Sequence, residues 1–328
     1  MASIKDVAKH AGVATSTVSK VLNNYPNVSE ETKSKVNKAI EELQFVPNAV
    51  AAALSSKQSG RIAFLINQSQ NKAIDEIDMQ YLSGAIPKAK ELGLDVVTVF
   101  FSMLSGKSID EIINYFKSQS ITGLVIFGIS KDEKEILELI DRQVFKTVLV
   151  DASIVNQNTS CVWINQEKAQ NDVVEEMLKH NDAKKILYLA GKENSFVMEG
   201  RLNGINAVSK RHKIKLGIEK ADFSEKKARE IVLKKAKNYD MVVCASDLMA
   251  IGAMIALTEM DIFRPVCGFD GINLMGYAGK QMTTVRQDFA RIAASAVNEI
   301  NNLLSGEEGK EVILPHKIVR IDYLDVIS

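Results

Sequence analysis

Ser3-Ile-Lys-Asp-Val-Ala-Lys-His-Ala-Gly-Val-Ala-Thr-Ser-Thr-Val-Ser-Lys-Val-Leu22 decides how the chain begins to fold. Val7, Ala8 and Ala11 recur at helical spacing behind Ser3, a residue type that caps helix N-termini, and Gly12 stands where a left-handed turn ends a helix. A second short helix, about Thr15 to Leu22, turns Val18, Val21 and Leu22 inward before Asn23-Asn-Tyr-Pro-Asn27 breaks it. A third starts at Ser29, with Thr32 where a capping box prefers Glu, and carries the apolar stripe Val36, Ala39, Ile40 and Leu43. Helices this short do not persist alone, so the three share one small core. The second helix exposes Thr15, Ser16, Thr17, Ser19 and Lys20, short hydroxyls and one amine, where an ordinary surface helix carries more Glu and Lys. Two helices joined by a tight Gly turn match a helix-turn-helix, whose second helix enters a DNA major groove; the same pattern also fits a solvated three-helix cap.

Pro47-Asn-Ala-Val-Ala-Ala-Ala-Leu54 reads as one isolated helix, running out into Ser55-Ser-Lys-Gln-Ser-Gly60. From Arg61 the pattern changes to β-branched runs alternating with amphipathic helices, the mark of parallel sheets with crossover helices. Strands are expected at 62–66, 95–101, 123–127, 147–150, 185–190, 240–244 and 265–268. Helices are expected at 79–92, 109–117, 133–142, 166–179, 196–210, 224–236, 247–259 and 289–304. Pro87 should kink or restart its helix. The fold class is α/β, and roughly 270 residues with two sets of such units favour two lobes over one large sheet.

The chain has 328 residues, 46% of them hydrophobic, with 41 basic and 41 acidic side chains, which excludes disorder and collagen and supplies ample core. No run approaches the roughly 18 apolar residues of a membrane span, and the N-terminus lacks the apolar stretch of a secretory signal, so a cytoplasmic location without membrane partners is expected. Cys161, Cys244 and Cys267 are odd in number and set in apolar runs, which favours reduced, buried thiols. Zero net charge removes a global electrostatic case for nucleic acid, although the first 57 residues, with seven Lys and five acids, are mildly basic. His10, His180, His212 and His316 lie far apart, and no GxSxG, Walker A or GxGxxG string follows a strand. Neither enzyme activity, cofactor nor metal is expected.

Ile4-Lys-Asp-Val-Ala-Lys-His-Ala-Gly-Val13, Ser16-Thr-Val-Ser-Lys-Val-Leu-Asn23, Asn27-Val-Ser29 and Phe45-Val-Pro-Asn48 resemble, in order and spacing, the N-terminal signature of the lactose-repressor (LacI/GalR) family of bacterial transcription regulators. Ala245-Ser-Asp-Leu-Met-Ala-Ile-Gly252, Gly268-Phe-Asp270 and Thr283-Thr-Val-Arg-Gln287 fall where the family's body has equivalents, so the likeness spans essentially the whole chain. It implies a helix-turn-helix head at 1–46, a hinge helix and linker at 47–60, and a two-lobed, periplasmic-binding-protein-like body with parallel sheets at 61–328. Lobe one would hold about 61–155 and 287–320, and lobe two about 156–286. By position, Thr15, Ser16 and Lys20 match base-reading residues, and Ser3, Thr17, Ser19 and Asn23 match positions near phosphates. Asn48 belongs to the same DNA-binding set, and Leu54 matches a wedge that the paired hinge helices push into the minor groove.

In the body the resemblance implies a small effector, a sugar or sugar derivative, held between the lobes at strand C-termini by Asp151, Arg201, Asp247 and Asp270. Asp247 also reads as a helix cap, and Trp163, the sole tryptophan, as sugar platform or core. Several positions depart from the family. Lys20 replaces an Arg that pairs bidentately with guanine, Ala14 replaces a capping Ser, and Ser246 replaces Asn. Asn67-Gln-Ser-Gln-Asn-Lys-Ala-Ile74 lacks the family's Asp and aromatics, and 259–266 is shorter. The expected function is a repressor that binds a pseudo-palindromic operator in double-stranded DNA as a homodimer under effector control. The C-terminus lacks a leucine heptad that would build a tetramer. A catabolite-type regulator controlled by a partner protein, and a soluble sugar-binding module, are the alternatives.

Overall fold

A computed structural model describes residues 2–22, 28–45, 60–67 and 76–324. The expected hinge helix, with Asn48 and Leu54, and Asn23 lie outside the described residues. Contacts divide the chain into two units, 1–59 and 60–328.

In the first unit α1 (Ile4–Ala11), α2 (Thr15–Leu22) and α3 (Glu30–Glu42) enclose Val7, Val18 and Val36, all fully buried, with Ala8, Val21 and Ala39 beside them. Ser3 begins α1 through a reciprocal cap: its Oγ accepts the Asp6 N–H, and the Asp6 carboxylate accepts the Ser3 N–H at 2.8 Å. Gly12 ends α1 at φ 66° and donates its N–H to the Ala8 carbonyl, which sends the chain directly into α2. At the start of α2 the Ala14 carbonyl accepts from Thr17 and Val18, but its methyl offers no side-chain acceptor. Ser29 caps α3 by accepting the Thr32 N–H at 3.3 Å. His10 on α1 and Glu42 on α3 meet at 2.6 Å on the surface.

The second unit contains two six-stranded sheets. β1 (Arg61–Ile66), β2 (Asp95–Phe100), β3 (Ile121–Phe127), β4 (Lys146–Val150), β5 (Thr159–Ile164) and β11 (Glu311–Leu314) form one, in the order β11-β5-β4-β3-β1-β2, with every pair parallel. β6 (Lys185–Ala190), β7 (Lys215–Lys220), β8 (Met241–Cys244), β9 (Val266–Asp270), β10 (Met282–Arg286) and β12 (Lys317–Ile321) form the other, in the order β12-β10-β9-β8-β6-β7, parallel except for the β10–β12 pair. Helices α4 (Glu76–Glu91), α5 (Ile109–Ser118), α6 (Lys134–Asp141) and α11 (Phe289–Leu304) cover the first sheet. α7 (Gln166–His180), α8 (Phe196–His212), α9 (Glu225–Lys235) and α10 (Asp247–Glu259) cover the second. β8, and β3 from Gly123 to Phe127, are apolar and buried because helices cover both faces, and all three cysteines are buried and free. No helix among the described residues is long and apolar enough to cross a membrane.

The structure moves two lobe boundaries. β5 pairs with β4 in register from Thr147↔Thr159, so it completes the first sheet, and the chain first crosses after Ile164 rather than near 156. β12 pairs with β10, so the last crossing falls at Pro315-His316, before 320. The remaining crossing runs through Gln287 and Asp288, between β10 and α11. α4 continues as one helix through Pro87 instead of restarting there. Its packing holds it: Gly84 lies so close to α11 that a Cβ would stand 1.9 Å from the Ala290 carbonyl oxygen.

Candidate functional site

The surface of α2 carries the first set of expected residues. Thr15, Ser16 and Lys20 are exposed, with Lys20 one helical turn beyond Ser16; Thr17 and Ser19 are half-buried beside the inward Val18. Ser3 is exposed, but its hydroxyl proton goes to the Asp6 carboxylate at 2.7 Å.

The second set converges between the lobes. β4 and β9 run parallel to their neighbours and end at Val150 and Asp270, so Asp151 and Asp270 both occupy C-terminal strand ends, one in each lobe. Both have left-handed backbones, φ 60° and 125°, which non-glycine residues adopt only where the surroundings impose it. Arg201, 4% exposed, reaches in from α8. Its Nε donates to Gln166 Oε1 at 2.9 Å, its Nη1 donates to the Ala245 carbonyl, and its Nη2 lies 3.6 Å from Asp270 Oδ1. The guanidinium stacks 3.6 Å over the Phe269 ring. Gln166, at the first crossing, turns its amide nitrogen to Asp151 Oδ1 at 3.3 Å, while Tyr81 on α4 donates to Asp151 Oδ2 at 3.1 Å. Gln287, at the second crossing, donates to Asp270 Oδ1 at 3.1 Å and keeps its own Oε1 buried without a partner among the described residues.

Asp247 is fully buried and does not cap α10; Ser246 does, accepting the Met249 N–H. Its Oδ2 accepts the N–H groups of Gly271 and Ile272 at 2.6 and 2.8 Å, and its Oδ1 accepts from Thr284 Oγ1 at 2.6 Å. Asp247 therefore shapes the turn that follows Asp270.

Burial pushes all three acids up. Asp270 rises to about 8, with Arg201 opposing and the charge of Asp247 adding to the rise. Asp247 rises to about 6 against the Thr284 hydroxyl and two backbone donors, and Asp151 rises despite Arg201, Tyr81 and Gln166. One guanidinium and three carboxyls that burial pushes toward protonation make a site that both donates and accepts hydrogen bonds. Cavities of about 580 and 380 Å3, the first in the second lobe and the other lined by that lobe together with Lys131 of the first, are lined by none of these four residues. Sequence reasoning did not single out Tyr81, Gln166 or Gln287. The two glutamines were traceable only as residues that begin or precede a helix at a lobe crossing. Trp163 packs half-buried against the core of the first lobe.

The model for bacterial regulatory proteins of the lacI family matches residues 3–48, and a periplasmic binding protein domain model matches 62–308. Catabolite control protein A of Staphylococcus aureus (strain Mu50) is 27% identical over 333 residues, covering 96% of this chain and 97% of that protein. The HTH-type transcriptional repressor PurR of Vibrio vulnificus is 27% identical, covering 98% of both. The lac repressor dimer bound to operator and the anti-inducer ONPF superposes with a TM-score of 0.80 at 24% identity over 97% of each chain. A helix-turn-helix head followed by a two-sheet binding body, each matched by its own model, makes this chain a member of the lacI family of bacterial regulatory proteins.

Proposed function

We propose that the protein is a sequence-specific DNA-binding transcriptional repressor that acts in the cytoplasm as a homodimer and responds to a small ligand between its lobes. The carrying observation is the surface of α2, where Thr15, Ser16 and Lys20 stand exposed after the Gly12 turn, which supports a role in contacting base edges. Ser3, Thr17, Ser19 and, outside the described residues, Asn23, Asn48 and Leu54 complete the DNA-binding set. A three-helix head buries little surface against DNA, so two heads on two half-sites supply the affinity. Exposed Met79 and Ile86 on α4, and Tyr277 on the 3-10 helix Asn273–Ala278, favour a self-complementary partner surface.

The effector contacts in this reading are Asp151, Arg201 and Asp270, supported by Gln166 and Gln287, with Asp247 holding the turn behind them. A site that both donates and accepts hydrogen bonds favours a hydroxyl-rich ligand such as a sugar. The contact division at 59/60 supports a body that begins near 60, preceded in this reading by a head to about 46 and a hinge to about 60. Operator selection from random DNA, followed by anisotropy titration of the full chain, tests the DNA reading; equal affinity for selected and random duplexes overturns it. A thermal-shift screen across sugars tests the ligand. Saturation at about 100 times Kd stabilises the protein by about 2.7 kcal/mol.

A further inference from the structure

The turn after Asp270 presents four consecutive backbone N–H groups, and two carboxylates from different lobes share them. Gly271 and Ile272 donate to Asp247 of their own lobe. Asn273 and Leu274 donate across the cleft to Glu76, to Oε1 at 2.8 Å and Oε2 at 3.2 Å. Gln80, one turn along α4, donates to the same Oε1 at 3.0 Å and holds the carboxylate in place. Asn273 opens a 3-10 helix, so its N–H and that of Leu274 have no acceptor within that helix. Glu76 also lies in the first turn of α4, where negative charge is favoured. One carboxylate thus joins helix starts in two lobes.

On the opposite flank of the cleft the lobes meet differently. Lys131 donates its N–H to the Asn194 carbonyl at 2.8 Å, and the Asn194 amide donates to Asp132 at 2.7 and 2.9 Å. Those contacts are exposed, as the Glu76 contacts are, and their one charge sits on a surface loop. The Glu76 contacts are charge-assisted to rigid backbone, and they adjoin Asp270 in sequence.

We propose that Glu76 is the clasp that holds the two lobes closed, and that it ties closure to Asp270 through the shared N–H groups of residues 271–274. Opening the lobes strips Asn273 and Leu274 of their acceptor, so the clasp sets the population of the closed arrangement. The consequence for effector response rests on the ligand-controlled reading above; the clasp itself does not.

Spin labels on the full chain test it without ligand or DNA. Ser118→Cys and Lys237→Cys stand just before β3 and β8, at the N-terminal sheet edges farthest from the cleft, and the native cysteines are buried. Pulsed dipolar distances should lengthen and broaden in Glu76→Ala. They should do so less in Glu76→Gln, which keeps one acceptor oxygen, and less in Asp132→Ala on the opposite flank. Circular dichroism and thermal melts establish that each variant is folded, and Glu76→Gln serves where the alanine variant does not fold. Distributions for folded Glu76 variants that superimpose on the parent overturn the clasp, whatever operator titration shows.

Discussion

Arg201 satisfies more partners than any other side chain of the cleft, and its loss has an asymmetric cost. Asp270 keeps only the amide of Gln287, and the Gln166 bridge to Asp151 loses its anchor. Leaving buried acceptors without their donor costs about 1–3 kcal/mol each, so Arg201→Ala should lower the melting temperature and abolish stabilisation by any sugar that stabilises the parent. Retained ligand stabilisation in the folded variant removes Arg201 from the site. Asp270 makes a pH prediction. Its folded value of about 8 exceeds its ordinary 3.8, so the folded state holds the proton more tightly and stability falls as pH rises from about 4 to about 8. Asp247 adds to that slope up to about 6, leaving the interval from 6 to 8 mainly to Asp270. Asp270→Asn should flatten the decline there, and parallel melting curves for parent and variant would refute the assignment. In the head, Lys20→Ala should weaken operator binding by about 1–3 kcal/mol and relax preference at one base pair per half-site. Equal losses on operator and random DNA would restrict Lys20 to phosphate.

Two glycines separate what an element needs from its own backbone and what it needs from its neighbours. Gly12 sits at φ 66° with nothing within 4 Å of the place an added methyl would take, so Gly12→Ala meets only the left-handed backbone penalty, about 1–2 kcal/mol. Gly84 has ordinary helical backbone, but a methyl there strikes the Ala290 carbonyl, and neither helix can yield without shifting. Gly84→Ala should destabilise the body by about 3 kcal/mol or more, while leaving the head intact. Denaturant unfolding with separate head and body probes distinguishes the two. A Gly84→Ala body as stable as the parent would show that α4 and α11 are free to slide apart. The same close approach carries α4 through Pro87, where local rules alone predict a break.

At the scale of the whole molecule, the proposed homodimer predicts that exposed apolar residues carry assembly. Met79 is 58% and Tyr277 61% exposed, and they belong to the surface proposed for the partner copy. Met79→Glu with Tyr277→Glu should convert the protein to monomer in sedimentation velocity. It should also weaken operator binding well beyond tenfold, because each head then binds its half-site alone. A dimeric double variant moves the interface elsewhere.

Local pattern by itself determined the three head helices, their caps at Ser3, Gly12 and Ser29, and the strands β1 to β4, β6, β8 and β9, because capping chemistry and buried apolar runs are written within a few residues; it missed β5 and β10, which lie inside the sheets. Asp151, Arg201, Asp247 and Asp270 came from the family resemblance, not from local pattern. Edge and crossover strands escaped it: β7 reads Lys-Leu-Gly-Ile-Glu-Lys, and β11 and β12 alternate too weakly for periodicity to separate them from loop. Tertiary structure alone decided that β5 and β12 exchange lobes relative to the sequence-based boundaries, since strand membership is settled by a hydrogen-bonded neighbour far along the chain. It also decided that Gln166, Gln287 and Tyr81 surround the acids, and that Asp247 and Glu76 divide four N–H groups between them. Those partners lie between 15 and 198 residues apart, and only the closing of two sheets around three crossings brings them within reach of a hydrogen bond.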